Sequence, residues 1–258
     1  MAKIIAFANQ KGGVGKTTTC INLSAYLAKM GHKILLVDLD PQGNATTGLG
    51  VVKSQLKHSV YNVIIDEVSA KSTIIHTIVE NLDLMPSDIN LAGAEVELVY
   101  TKEREKALKK ALNQVSNNYE YIFIDCPPSL GLLTINALTA GDSTLIPIQS
   151  EYYALEGLSQ LMNNIKLVKR HLNPELKIEG VLLTMNDARA TMSKQIAVEI
   201  KKFFGEKLYD TIIPRNVKLA EAPSHGVPIM MHDTRCTGAK AYKAFAEEFY
   251  KKEHGLNN

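Results

Sequence analysis

A glycine-rich loop with two lysines constrains the fold of this chain more than any other feature. It occupies residues 11–18 and reads KGGVGKTT, between an apolar strand-like segment at 3–8 and a helical pattern at 16–30. A strand that turns through glycines into a helix directs several backbone N–H groups and the positive end of the helix at one point. The sequence therefore predicts a phosphate-binding loop.

The residue types in this loop assign roles in binding a nucleoside triphosphate. We expect Lys16 to neutralise the β- and γ-phosphates and the Thr17 hydroxyl to bind Mg²⁺. The strict Walker A pattern requires glycine where this chain has Gln10, and a second lysine, Lys11, stands at the start of the loop. The alternative is a glycine-rich turn with incidental lysines, and the strand–loop–helix context argues against it. The residues predicted to line the nucleotide are Lys11, Gly12, Gly13, Val14, Gly15, Lys16, Thr17 and Thr18.

Three aspartates follow strand-like segments and complete the predicted site. Asp38 and Asp40 end the run Ile34–Asp40, and Asp125 ends the run Tyr121–Asp125. The carboxyl ends of strands in open α/β sheets bind ligands. We expect Asp38 to hold Mg²⁺ through water, Asp125 to be an outer-shell Mg²⁺ ligand, and Asp40 to orient the attacking water. An Asx turn before Pro41 is the alternative role for the first two aspartates.

The alternation of strands and helices predicts the fold class. We expect an α/β fold with a doubly wound, mostly parallel sheet and helices on both faces, because several strands are apolar on both sides. No linker or repeat interrupts the pattern, so one P-loop ATPase domain should cover residues 1–258. The predicted strands are 3–8, 33–38, 82–85, 121–125, 143–148, 178–185 and 211–213, and the predicted helices are 16–30, 103–115, 155–172, 192–204 and 238–252.

Charge and composition add weaker constraints. The net charge of +2 combines −3 over residues 1–165, with 13 basic and 16 acidic residues, and +5 over residues 166–258, with 16 and 11. The basic part would suit a polyanion, although on charge alone a solvated surface with scattered lysines is the better explanation. Cys20, Cys126 and Cys236 form no CxxC pair and suit reduced, mostly buried thiols. The N-terminus shows no signal peptide, so we expect a cytoplasmic protein.

Longer strings extend the argument from a motif to a family. The form xKGGxGK[ST] is typical of deviant Walker A ATPases, which include the ParA and MinD proteins and the nitrogenase iron protein. Together with LLVDLDPQGNATTGLG and IPRNVKLAEAPSHG, the loop resembles the small ParA family over nearly the whole chain. The resemblance implies an Mg²⁺-dependent ATPase that forms a homodimer with ATP. It also implies non-specific binding of that dimer to double-stranded DNA of the nucleoid and hydrolysis stimulated by a ParB-type centromere-binding partner.

The resemblance also implies roles for individual residues. Lys11 would reach across the dimer to the partner's phosphates, and Gly12 would lie at the dimer interface. Pro214 and Asn216 match the segment that meets adenine. Arg189 and Lys218 match DNA-binding positions, although close relatives carry arginine where this chain has Lys218. The stretch 43–50 would be a switch segment ordered by the γ-phosphate.

One related function remains as an alternative, and a second does not fit the cysteine pattern. A MinD-like, membrane-cycling ATPase would need a C-terminal amphipathic membrane helix, and Tyr242, Phe245 and Phe249 share one face of the last predicted helix. The same spacing suits a helix packed on the sheet, and the nearby glutamates oppose anionic lipid. A nitrogenase-type reductase would need two cysteines placed to share a cluster, a pattern that is missing here. The short segment before the first strand leaves no room for a helix-turn-helix domain, so we do not expect sequence-specific operator binding.

Overall fold

The structure is a computed structural model that describes residues 1–151, 154–186 and 191–256. Eight strands of these residues form one sheet in the order β3-β4-β2-β5-β1-β6-β7-β8. Only β3 runs antiparallel to its neighbour among the described strands. The strands are β1 (Lys3–Phe7), β2 (Ile34–Asp38), β3 (Ile75–His76), β4 (Leu82–Met85), β5 (Tyr121–Asp125), β6 (Ser143–Gln149), β7 (Lys177–Asn186) and β8 (Leu208–Pro214).

Helices connect the strands and cover the sheet. The longest are α8, α12, α1 and α9, and several others are single turns. The helices are α1 (Lys16–Lys29), α2 (Asn44–Gly48), α3 (Val60–Ile64), α4 (Ala70–Thr73), α5 (Leu91–Glu97), α6 (Ala107–Asn113), α7 (Leu132–Ala140), α8 (Ala154–His171), α9 (Thr191–Phe204), α10 (Val217–Glu221), α11 (Ile229–His232) and α12 (Thr237–Glu253). Short 3-10 turns lie at Lys53–Gln55, Leu98–Tyr100, Arg104–Lys106, Ser116–Asn118, Gly205–Lys207 and Ala222–His225.

Successive residues of the central strands enter two different cores. In β1, Ile4 belongs to a core with residues of α3, α5, α6, α7, α8 and α9, whereas Ile5 belongs to a core with residues of α1 and α12. Side chains alternate across a strand, so a strand apolar at every position needs an apolar layer on each face. The predicted doubly wound sheet with helices on both faces is confirmed.

The last helix packs on the sheet. Tyr242, Phe245 and Phe249 of α12 are buried. The Phe249 ring lies 5.7 Å from that of Tyr121 and 6.0 Å from that of Phe123, centroid to centroid. These apolar side chains are therefore occupied by the core and do not face a bilayer. Within the described ranges, no helix is long and apolar enough to cross a membrane.

Two predicted elements differ from the structure by more than one residue at an end, and the others agree to within one residue. The helix expected at 103–115 begins only at Ala107, because Arg104–Lys106 forms a 3-10 turn that follows Glu103 at φ 55°. The strand expected at 211–213 is longer and starts at Leu208.

The strand order brings the predicted acidic residues beside the glycine-rich loop. β5 lies between β1 and β2, and its Asp125 pairs in register with Phe7 on one side and with Asp38 on the other. The loop follows β1 directly, and the strand order reverses there, since β2 and β6 lie on opposite sides of β1. Such a reversal opens a crevice at the carboxyl ends of the strands.

Candidate functional site

The loop after β1 has the backbone conformation of a phosphate cradle. Gly13 and Gly15 have φ values of 72° and 82°, which side chains rarely allow. Gly15 leads into α1 without a side-chain cap, and the first turn of that helix carries no acidic residue. The first N–H groups of α1 are therefore left for a ligand, and the helix dipole favours an anion there.

Lys16 is a buried cation whose side-chain hydrogen bond goes to a neutral carbonyl group. Its side chain is buried, and its Nζ donates a hydrogen bond to the Lys11 carbonyl at 3.2 Å. Burial lowers the pKa of this amine, while the charges of Asp125 and Asp40 act in the opposite direction. A buried ammonium group needs strong compensation, which a phosphate would supply.

Two residues distant in sequence hold the loop in place. The Thr184 hydroxyl on β7 donates to the Val14 carbonyl at 2.7 Å, and both groups are buried. Asn9 donates to the Pro147 carbonyl at 2.7 Å and accepts from the Lys11 N–H at 3.0 Å. The sequence analysis did not identify either residue, because neither belongs to the loop motif.

Asp125 is the strongest candidate for a metal-linked residue. Both of its carboxylate oxygens are buried and lack a well-formed hydrogen bond among the described residues. Burial raises the pKa of this carboxyl, the charge of Asp38 adds to that effect, and the nearby Thr17 hydroxyl and Lys16 oppose it. Mg²⁺ takes oxygen ligands and keeps several waters, so these unpaired oxygens beside a threonine hydroxyl fit the ion.

Asp38 is engaged mainly in holding α2. Its Oδ2 accepts hydrogen bonds from the Thr46 N–H and hydroxyl, both at 2.7 Å, and its Oδ1 accepts from the Asp40 N–H at 3.2 Å. Burial raises the pKa of Asp38, and the bonds from Thr46 oppose that shift. Oδ1 keeps capacity for a further partner, so a water-mediated contact with Mg²⁺ stays a prediction.

Asp40 lies in a tight turn at the edge of the cleft. Its Oδ1 accepts from the Gln42 N–H at 2.9 Å, and its carbonyl accepts from the Ser87 hydroxyl at 2.8 Å and from the Gly43 N–H at 2.8 Å. The carboxylate thus makes the Asx-turn contact that the sequence analysis considered. Asp40 also lines the cleft, so this contact does not exclude a role in orienting water.

The cleft has a volume of about 400 Å³. The glycine-rich loop and Asp40 line the cleft together with polar and apolar side chains of other segments. Pro214 and Asn216 are not among its lining residues, and Asn216 instead caps α10 by accepting from the Lys218 N–H at 2.9 Å. Their contact with adenine stays a prediction. The apolar residues that line the cleft are Ile21, Pro128, Met185, Leu219, Ala222, Pro223, Val227 and Pro228.

Lys11 and Gly12 lie on the surface beside this cleft. Lys11 Nζ pairs with Glu151 at 2.5 Å, and both side chains are substantially exposed. Gly12 is exposed and has no positive φ, and a Cβ at this position would meet only Pro128, at 3.7 Å. The fold of one chain therefore does not require glycine at position 12.

Of the two predicted DNA-binding residues, the structure describes Lys218 but not Arg189. Arg189 lies outside the described residues. Lys218 is exposed on α10, where its Nζ pairs with Glu221 at 2.8 Å. Exposed ion pairs at this spacing contribute little to stability, so the lysine can readily leave its glutamate for another anion.

The cysteines do not form a metal or cluster site. Cys20 and Cys126 are buried, and Cys236 is partly buried with its sulfur accepting from the Ala239 N–H at 3.3 Å. Burial raises the pKa of the Cys126 thiol, with Asp125 adding to the effect, so it is no nucleophile. Among the described residues, no three His, Cys, Asp or Glu side chains are grouped to hold a metal ion.

Comparisons with known proteins agree with this geometry. A family described as an AAA domain matches residues 2–178. The chain is 60% identical over 248 residues to the sporulation initiation inhibitor protein Soj of Bacillus subtilis (strain 168), covering 96% of this chain and 98% of the relative. It is 47% identical over 253 residues to the chromosome partitioning protein ParA of Caulobacter vibrioides (strain NA1000 / CB15N), covering 97% and 95%.

A solved structure shares the fold over the full length. The crystal structure of cobyrinic acid a,c-diamide synthase from Mycobacterium smegmatis, with a bound ATP analogue and magnesium, is 36% identical with a TM-score of 0.87. The match covers 100% of this chain and 98% of that one. With its long matches to Soj and ParA, the chain belongs to the ParA family of chromosome-partitioning proteins.

Proposed function

We propose that this chain is an Mg²⁺-dependent partition ATPase that dimerises with ATP and binds double-stranded DNA without sequence preference. A ParB-type centromere-binding protein stimulates hydrolysis and so releases the protein from the nucleoid. The partitioning role rests on the similarity to Soj and ParA. The ATP analogue and magnesium in the related M. smegmatis structure support the same ligands here.

The observation that carries the proposal is the pairing of a buried cation with an unpaired carboxylate at the glycine loop. Lys16 and Asp125 are both buried beside the cradle, and neither has a charged hydrogen-bond partner among the described residues. Triphosphate oxygens complement Lys16, and a hydrated Mg²⁺ complements Asp125 and the Thr17 hydroxyl. When bound, the metal ion neutralises charge on the β- and γ-phosphates.

The chain's own residues then have distinct roles. The loop N–H groups and Lys16 orient the triphosphate and stabilise charge on its terminal phosphate. Asp40, which lines the same cleft, orients the attacking water. Apolar residues that line the cleft exclude water from the base.

The proposed dimer explains two features that one chain does not need. Gly12 is exposed and its fold tolerates a Cβ, so a requirement for glycine would come from close approach by a second copy. Among the described residues, Lys11 Nζ pairs with the exposed Glu151, so it can move to a partner's phosphate at small cost. A cation supplied from the second copy would act as an arginine finger does.

Sedimentation of a Gly12→Val variant tests the dimer. We expect wild type to sediment as a monomer with ADP and as a dimer with a non-hydrolysable ATP analogue. Gly12→Val should bind the analogue but stay monomeric, whereas Gly157→Val should behave as wild type, because no described residue lies within 4 Å of a Cβ at position 157. A dimer of Gly12→Val with the analogue would contradict the sandwich arrangement.

A further inference from the structure

Two segments that contribute lining residues to the cleft meet through the backbones of two glycines. Gly50 follows α2, and Gly226 ends the 3-10 turn Ala222–His225. A Cβ on Gly226 would lie 2.6 Å from the Gly50 Cα and 3.1 Å from its nitrogen, and a Cβ on Gly50 would lie 2.9 Å from the Gly226 carbonyl oxygen. Backbone atoms cannot rotate away as a flexible side chain can. We call this close approach the Gly50–Gly226 contact.

Hydrogen bonds connect the first segment to Asp38. Asp38 accepts both the N–H and the hydroxyl of Thr46 in α2, and the Thr46 hydroxyl also accepts from the Ser87 N–H at 2.9 Å. The Gly50 N–H then donates to the Thr47 carbonyl at 3.0 Å. A shift of Asp38 and Asp40 therefore moves Gly50 with it.

The second segment is continuous with the helix that carries Lys218. α10 ends at Glu221, and the turn Ala222–His225 follows without a break. The Gly226 N–H donates to the Pro223 carbonyl at 3.0 Å, which closes that turn. On the other side, Leu219 packs so closely on Gly238 that a Cβ there would lie 2.7 Å from the Leu219 Cγ. α10 is therefore held between the Gly50–Gly226 contact and the start of α12.

We propose that the Gly50–Gly226 contact transmits the nucleotide state from the Asp38–Asp40 segment to α10, and so sets the position of Lys218 for DNA. The proposal rests on the proposed function and makes Gly50 and Gly226 positioning residues, since neither lines the cleft. Packed backbones shift as units rather than deform, which suits them to carry such a displacement. Coupling of this kind is reciprocal, so DNA should strengthen binding of the ATP analogue by the factor by which the analogue strengthens binding of DNA.

A Gly226→Ala variant tests this contact, and the same substitution at a control glycine with a similar positive φ measures the effect of backbone strain alone. Gly226 has φ 66°, and Gly205, at φ 55°, is a matched control, since no atom of the described residues lies within 4 Å of its Cβ position. The measurement is the dissociation constant for a labelled DNA duplex, by fluorescence anisotropy at fixed salt, with ADP and with a non-hydrolysable ATP analogue. We expect the ADP-to-analogue ratio to fall about tenfold in Gly226→Ala and to stay at the wild-type value in Gly205→Ala.

Affinity for the nucleotides themselves should change less than about threefold in Gly226→Ala, since the residue does not line the cleft. Gly50→Ala should lower the ADP-to-analogue ratio of DNA dissociation constants to the same extent. The double variant should lower that ratio no further than either single variant, because all three variants remove the same contact. If the fold-change of the double variant instead equals the product of the two single fold-changes, the two glycines do not act through one contact.

The outcomes distinguish the two proposals. A wild-type ratio of one contradicts the proposed function itself. A wild-type ratio well above one that persists in a folded Gly226→Ala protein overturns the coupling alone. If the variants do not fold, hydrogen exchange of Gly12→Val decides, because this variant is expected to bind the analogue and stay monomeric. Both nucleotides carry adenine, so contact with the base affects both in the same way. Slower exchange of the Gly226 and Val227 amides with the analogue than with ADP supports the contact. A change in amide exchange that is confined to residues 43–51 contradicts it.

Discussion

Lys16 is the residue on which nucleotide binding depends most directly. Lys16→Ala removes a buried ammonium group from the cradle, and charge-assisted bonds of this kind contribute about 1.5–3 kcal/mol. We therefore expect ATP affinity to fall about 10- to 100-fold by titration calorimetry, and ATP-dependent dimerisation to be lost. Lys29→Ala is the control, since Lys29 is exposed at the far end of the same helix. Unchanged ATP affinity in Lys16→Ala would remove the phosphate-loop assignment.

Two substitutions of Asp40 distinguish its turn contact from its proposed chemical role. Asp40→Asn keeps an oxygen that accepts from the Gln42 N–H but removes the charge, whereas Asp40→Ala removes both. If Asp40 orients water, both variants should bind ATP and dimerise yet hydrolyse about 100-fold more slowly or worse. Steady-state phosphate release measures this. Wild-type turnover by Asp40→Asn would leave Asp40 as a turn residue.

Residues near the loop differ in how far the sequence could identify them. The three aspartates were identifiable because each follows an apolar strand, and the sheet gathers strand ends at one edge. Thr184 and Ser87 were not, because Thr184 lies 170 residues from its partner Val14 and Ser87 lies 47 residues from Asp40. Only the folded sheet brings such pairs together.

At the scale of elements, the buried face of α12 can be tested by stability. Phe245 is fully buried, so Phe245→Ala should lower the free energy of unfolding by about 3–5 kcal/mol in urea titrations. Phe203→Ala makes the same chemical change at a side chain that is 67% exposed, and should cost less than about 1 kcal/mol. Equal, small effects of the two variants would mean that α12 is not packed on the sheet and would reopen the membrane-cycling alternative.

A second element-level test concerns the ion cluster that ties β1 to β7 and α12. Lys3 Nζ lies 2.8 Å from Glu179 and 2.6 Å from Glu253. Burial raises the pKa of both carboxyls. For Glu179 the hydrogen bonds it accepts outweigh burial and leave its pKa below the ordinary value, whereas Glu253, facing the charge of Glu179, keeps a raised pKa. The two carboxylates therefore depend on Lys3 most when both are ionised.

This dependence predicts how the effect of Lys3→Met changes with pH. The raised pKa of Glu253 means that the folded state binds its proton more tightly than the unfolded chain, and this stabilisation is lost as pH rises through that pKa. Without Lys3, the unpaired carboxylates repel each other once both are charged. We expect the destabilisation to grow by about 1–2 kcal/mol between pH 5 and pH 8. Lys243→Met, which removes an exposed pair with Glu247, should show a small and pH-independent effect. A flat profile for Lys3→Met would contradict the cluster.

The elements also show why some predictions failed. Long amphipathic helices and strands apolar on both faces were predicted with nearly correct bounds. α7 was missed because its residues are buried nearly all round, which removes the 3.6-residue periodicity. β3 has only two residues, too few for any strand pattern, and it joins the sheet through pairing with β4.

At the scale of the whole molecule, sequence pattern predicted the doubly wound sheet but only resemblance predicted assembly. Nothing in one chain's hydrophobic periodicity specifies a second copy or a DNA duplex. The exposed Gly12 and the weakly tied Lys11 support a dimer, and the exposed Lys218 supports contact with phosphates. A dimer would present two copies of each DNA-binding residue and so engage more phosphates than a monomer.

This difference sets the expected effect of Arg189→Ala. Each phosphate contact contributes about −0.9 to the slope of log affinity against log salt, so the loss of one contact per protomer should flatten the slope by about two per dimer. Binding to all sequences should weaken equally, and dimerisation with ATP should persist. A DNA affinity equal to that of wild type at low salt, with intact dimers, would return Arg189 to the solvated surface.

The most direct test of the central claim is the affinity of the wild-type protein for double-stranded DNA across a salt series, with ATP, with ADP and without nucleotide. We predict that binding is much tighter with ATP, weakens steeply as salt increases, and is the same for duplexes of unrelated sequence. Equal affinity under all three nucleotide conditions, or a strong preference for one sequence, would contradict the account of an ATP-dependent, sequence-independent DNA-partitioning ATPase.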